Sequence, residues 1–120
     1  IGKVKELSGS KGVEYTKAGN LLGHISIGAN MVNSVIEELG YAGSEEAICL
    51  IHMILAHHGE LEYGSPKEPL MAEAALLFYL DYADSRFAAL EKYYKQTNKG
   101  EYTEQIFALD KKSFYIPNID

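Results

Sequence analysis

Apolar residues recur at helical spacing from about Thr16 to Leu39, at Leu21, Ile25, Gly28, Val32, Val35, Ile36 and Leu39, with Glu37 and Glu38 turned elsewhere. The pattern predicts an amphipathic helix, and Gly40 stands where it should stop. Ser44, followed by Glu45 and Glu46, has the chemistry of an N-cap and an acidic first turn. It opens a second helix predicted to run to His58. After a loop over 59–68, Pro69 is a favoured first helical residue, and a third helix is predicted over 69–97. It is apolar nearly all round between Ala74 and Ala83, as a helix buried on several sides should be. It then becomes amphipathic through Phe87, Leu90 and Tyr94, and its end is expected near Asn98-Lys99-Gly100.

The flanks are less regular. Residues 1–7 read as the tail of a helix without its beginning, and 8–16 as a glycine-rich turn with a short extended piece. Two strand-like runs, 103–109 and 113–116, joined by Asp110-Lys111-Lys112, suggest a small C-terminal β-hairpin. The expected fold class is all-α, a helical bundle with that hairpin as its β element. There is no internal repeat and no low-complexity segment.

A chain of 120 residues, 47% hydrophobic, suffices for one domain with a modest core. The formal net charge of −6 comes without any run of basic residues. This weighs against a nucleic-acid-binding surface, because neutralising phosphates takes clustered Lys and Arg. A phosphodiester substrate is still compatible, since a bound metal supplies its own positive charge. Cys49 is the single cysteine, so no intrachain disulfide forms; a buried, reduced thiol is expected. No apolar run is long enough to span a membrane. Ile1-Gly2-Lys3-Val4-Lys5 lacks the apolar core of a secretory signal, and a cytoplasmic location is expected.

The candidate chemistry centres on His57-His58, followed at once by Gly59 and the loop Glu60-Leu61-Glu62-Tyr63-Gly64-Ser65-Pro66. Adjacent imidazoles at the end of an apolar helix point about 100° apart and can serve different ligand positions. His24 stands beside Gly28, Met31 and Val35, at the border of a buried face. Asp81 and Asp84 are three apart on one helical face shared with Leu77, Phe78 and Ala88, where a carboxylate needs a hydrogen bond, an ion pair or a metal. Helix termini, or Arg86 and nearby lysines, would satisfy both aspartates without a metal. His52 sits with Ile48, Ile51 and Leu55 and reads as a packing residue. Imidazole and carboxylate together suit first-row divalent ions such as Mn, Fe, Co, Ni or Zn.

In order, LLGHISIGANMV, HMILAHHGELEYGSPKEP, LDYADSRF and the tail YTEQIFALDKKSFYIP resemble the later part of an HD-domain metal-dependent phosphohydrolase, most of all the YhaM-type 3′–5′ exoribonuclease group, also called cmp-binding factors. The resemblance covers nearly the whole chain. It implies His24, His57 or His58, and Asp81 as metal ligands, with Asp84 supporting them from behind and Mn as the expected ion. The His-Asp pair that names HD domains would stand directly before Ile1-Gly2-Lys3. The chain is therefore expected to be the C-terminal part of a larger protein, with an incomplete metal site and apolar helix faces that favour a homo-oligomer.

The mechanism this implies is in-line attack on a phosphodiester by water activated at one or two divalent ions. Lys3 would meet the phosphate, and Glu60 and Tyr63, at the loop mouth, would touch ribose or base. Lys3 reads equally as a solvated helix-end lysine, and the loop pair as rim residues. Single-stranded RNA would be the substrate of the intact protein, with DNA as an alternative, while this stretch alone is expected to be inactive. Two other readings stand beside this one: an HD hydrolase of nucleotides or cyclic dinucleotides, and a non-catalytic helical module that dimerises or binds a partner.

Overall fold

The computed structural model describes residues 1–8 and 14–119. They divide into two compact units, Ile1–Phe78 and Tyr79–Asp120.

The first unit begins with a single helical turn, α1 (Lys3–Glu6), followed by β1 (Leu7–Ser8) and β2 (Glu14–Tyr15), which pair antiparallel with Leu7 opposite Tyr15. The extended piece expected within 8–16 is thus a strand of a small sheet; the glycines of that stretch lie outside the described residues. Thr16 then caps α2 (Lys17–Glu38): its Oγ1 accepts from the Gly19 N–H at 2.9 Å and donates to the Lys5 carbonyl at 2.8 Å. The Thr16 N–H donates to the Glu6 carbonyl, so the start of α2 is tied to the end of α1.

Two glycines let these elements close on each other. A Cβ on Gly2 would overlap the His24 carbonyl oxygen, and one on Gly19 would overlap the carbonyl of Glu6. Gly28 faces Gly2 from the other side, its Cβ position 3.4 Å from the Gly2 nitrogen. Backbone therefore meets backbone, which any side chain would prevent.

The α2 segment departs from its predicted form at Gly23, whose φ of 71° and ψ of 157° break the helix in two. Ile25, Gly28 and Ile36 are buried as expected and Ile27 joins them, whereas Leu21, ahead of the break, and Val35 and Leu39, beyond it, are exposed. Gly40 ends the helix with a positive φ, as its position predicts. Ser44 caps α3 (Glu45–Ala56) by accepting from the Ala47 N–H at 3.2 Å. The helix stops at Ala56, two residues before His58, because Gly59 turns back with φ 82° and donates to the Ala56 carbonyl. Cys49 is free and half-buried, less enclosed than expected.

The loop after α3 carries a 3-10 turn, Leu61–Tyr63, closed by left-handed Gly64. Buried Ser65 anchors it, donating to the Leu55 carbonyl at 2.9 Å. Helix α4 (Ala72–Tyr94) starts three residues beyond Pro69 and ends before Asn98. His52 ties down the segment ahead of α4: its Nε2 accepts from the Leu70 N–H at 2.9 Å. His52 is a structural histidine, as its apolar flank suggests. The division between units falls within α4, and Ala74 is its buried residue, while Leu76, Tyr79, Leu80 and Phe87 are exposed, contrary to burial on several sides.

In the second unit the tail after α4 buries Thr103, Ile106, Leu109 and Ile116. The expected hairpin takes a reduced form, with isolated antiparallel bridges Tyr102–Tyr115 and Ile106–Lys112 around a 3-10 turn, Phe107–Leu109. The 3-10 turn occupies residues that continuous strands would need. Among the described residues no helix is long and apolar enough to cross a membrane.

Candidate metal centre

Three of the predicted residues come together in the first unit. His24, His57 and His58 each offer a ring nitrogen within 4.8 Å of the others. The His57 and His58 rings lie edge to face with centroids 4.4 Å apart, and His24 stands 5.0 Å from His58 and 5.6 Å from His57. His57 is the C-cap of α3 and His58 lies just beyond it. The doublet is therefore oriented by a helix end and its turn, not by helical spacing alone.

Each ring is anchored through Nδ1 to an oxygen. His24 Nδ1 donates to Glu6 Oε1 at 3.1 Å, His57 Nδ1 to the Ile54 carbonyl at 2.6 Å, and His58 Nδ1 to the Tyr63 carbonyl at 3.0 Å. Acceptors in those places assign the ring proton to Nδ1 and leave the lone pair on Nε2. His24 Nε2 and His58 Nε2 face each other at 3.2 Å. Two lone pairs at that distance repel unless a cation, proton or metal, lies between them. Nitrogens sharing one ion at about 2.0–2.1 Å stand roughly 2.9–3.4 Å apart, so the spacing suits two ligands of one metal.

Glu6 is the residue that sequence reasoning missed. Its side chain is 9% exposed and its Oε1 accepts from both the backbone N–H and Nδ1 of His24, at 3.0 and 3.1 Å. The break at Gly23 frees that N–H by starting a new helical segment at His24, and the carboxylate caps it where the helix dipole favours negative charge. Eighteen residues separate the partners, and no local pattern links them.

The other predicted residues are placed as follows. Lys3 is exposed on α1, the helix that carries Glu6. Glu60 is exposed and leads the 3-10 turn, and its carbonyl accepts from the Tyr63 N–H. Tyr63 is 50% exposed and contributes its carbonyl to His58. A hollow of about 290 Å³ lies beside His24 and His58, lined also by Leu22, Ile25, Tyr63 and Pro66. Asp81 and Asp84 are on α4 in the second unit, and both are exposed. Solvent around them removes the desolvation argument for a compulsory partner. Arg86, offered as their neutralising cation, instead pairs with Asp110 at 3.4 Å.

Comparison with known proteins agrees with the motif order. The 3′-5′ exoribonuclease YhaM of Bacillus subtilis (strain 168) is 48% identical over 117 residues, that of Bacillus licheniformis 49% and that of Bacillus pumilus (strain SAFR-032) 48%. Each match covers 98% of this chain and 37% of the relative, so the chain spans a little over a third of the curated relatives' length. No family model and no solved structure matches it. Along nearly its whole length the chain is thus similar to one stretch of the YhaM exoribonucleases, as the order of its motifs predicts.

Proposed function

We propose that this chain supplies part of a metal-dependent phosphodiesterase centre of the HD type, which in the whole protein removes nucleotides from the 3′ end of single-stranded RNA. The observation that carries the reading is the trio of imidazoles, each held through Nδ1, whose candidate ligand atoms lie within 4.8 Å of one another, with His24 Nε2 facing His58 Nε2 at 3.2 Å. The names of the relatives support the nuclease class.

His24, His57 and His58 would hold a divalent ion, with Asp81 a further ligand by resemblance and Asp84 supporting it through hydrogen bonds. Three imidazoles alone favour Fe, Co, Ni or Zn; Mn gains ground only where a carboxylate such as Asp81 joins them. When bound, the ion acidifies water and offsets charge building on a phosphoryl oxygen. The remaining work belongs to side chains. Glu6 fixes the tautomer and orientation of His24, as carboxylates commonly do for histidines that bind metal. Lys3 would meet a non-bridging phosphate oxygen as a compact cation. Tyr63, which lines the hollow beside His24 and His58, would touch ribose or base together with Glu60 of the same loop.

The test is metal content after incubation with Mn²⁺ or Zn²⁺ and desalting, for the chain and its His58→Ala variant. About one ion per chain, lost in the variant, is expected. Equal metal in both, or none in either, would remove the histidine cluster as the metal site.

A further inference from the structure

The turn after the second 3-10 segment has an unusual backbone. Asp110 and Lys111 both have positive φ, 57° and 58°, and the Lys112 N–H closes the turn on the Leu109 carbonyl at 3.1 Å. Two successive left-handed residues suit an Asn-Gly or Asp-Gly pair, and lysine is an uncommon second member. The conformation places Lys111 Nζ 5.5 Å from the centroid of the Phe107 ring, which is itself 81% exposed. On α4, the Arg86 guanidinium lies 4.4 Å from the centroid of Tyr82 and reaches Asp110 Oδ2 at 3.4 Å. Lys112 Nζ is 3.6 Å from the same oxygen.

Two cations thus pair with one carboxylate and a third stands over an exposed aromatic ring, in a chain whose net charge is −6. A singly exposed aromatic ring is ordinary. An aromatic face framed by excess positive charge on an acidic protein is a more selective arrangement. It suits a polyanion that also presents flat apolar faces. Unpaired nucleic-acid bases have such faces, whereas a duplex offers mainly its phosphates.

We propose that Phe107 and the Asp110-Lys111-Lys112 turn form a binding platform for single-stranded RNA. A base stacks on the open Phe107 ring, and the Lys111 and Lys112 ammonium groups meet neighbouring phosphates. Arg86 positions the turn by holding Asp110. The choice of RNA as occupant rests on the exoribonuclease reading above; the platform's geometry does not depend on the histidine cluster.

The test is fluorescence anisotropy of a labelled ten-nucleotide oligouridylate with the 120-residue chain in EDTA, so that binding is read without cleavage. Phe107→Ala should weaken binding roughly 5- to 100-fold, the range of losing one stacked base, while Phe107→Tyr restores it. Lys111→Ala with Lys112→Ala should make the salt dependence shallower, by roughly 0.7 in slope for each phosphate that the lysines neutralise. Absence of binding by the wild-type chain, or equal binding by Phe107→Ala, would overturn the platform. So would equal affinity for a matched RNA duplex, or loss of binding only in the lysine variant, since either describes a general polyanion surface. Circular dichroism of each variant separates these outcomes from misfolding, and an independent metal-uptake assay scores the histidine cluster separately.

Discussion

One oxygen of Glu6 accepts two hydrogen bonds from His24, the backbone N–H at 3.0 Å and Nδ1 at 3.1 Å. The same interaction caps a helical segment and sets a tautomer, which joins the stability of the fold to the chemistry of its candidate site. Glu6→Ala should lower divalent-metal affinity roughly 10- to 100-fold, the usual effect of removing a carboxylate behind a metal-binding histidine. Competition against a chromophoric chelator measures it. An unchanged affinity with a lowered melting temperature would assign Glu6 to capping alone.

The close approach of the glycines gives a prediction with a diagnostic sign. Gly→Ala inside a helix ordinarily stabilises by up to about 1 kcal/mol. At Gly19 the new methyl group would overlap the Glu6 carbonyl, so Gly19→Ala should instead destabilise by roughly 1–3 kcal/mol. Because that clash displaces Glu6, metal affinity should fall with it. Urea denaturation and the chelator assay together check both effects. A stabilised Gly19→Ala chain would mean that α1 does not pack on α2 as described.

The tautomers are open to direct observation. In the metal-loaded chain, long-range ¹H–¹⁵N spectra should show the proton on Nδ1 of His24, His57 and His58 and the metal-induced shift on Nε2. His52 should show no such shift, because its Nε2 accepts from Leu70. A shift on His52, or ligation through Nδ1 of His24 or His58, would contradict the arrangement.

Acid should loosen the tail turn. The Arg86 guanidinium, through a hydrogen bond and its charge, holds Asp110 below its ordinary value of 3.8, with Lys112 adding to the effect. A depressed folded-state pKa means that the folded chain binds fewer protons than the unfolded chain. The contribution is therefore complete above about pH 3.8 and is lost as pH falls through the folded value beneath it. A ¹³C titration of the Asp110 carboxyl should give a midpoint below 3.8, moving up towards it in Arg86→Gln. Identical midpoints in the two proteins would show that the pair does not form in solution.

Helices and their ends were legible in the sequence wherever the signal was local. Thr16 to Gly40, and Ser44 with its acidic first turn, could be read because capping and termination involve neighbours in the chain. The three histidines that come together were legible too, as candidate ligands singled out by their motifs. How those rings are held emerged only on folding. Glu6 and His24 are far apart along the chain, and the Tyr63 and Ile54 groups that orient the doublet are backbone carbonyls, which every residue type carries. The break at Gly23 escaped periodicity for the same reason, since a glycine at a helical position looks tolerated until a distant carboxylate takes over the freed N–H. Basic residues scattered in sequence likewise showed no cluster until folding brought Arg86 to the turn that carries Lys111 and Lys112. Local chemistry writes elements into a sequence; the pairing of distant polar groups depends on where the packed backbone places them.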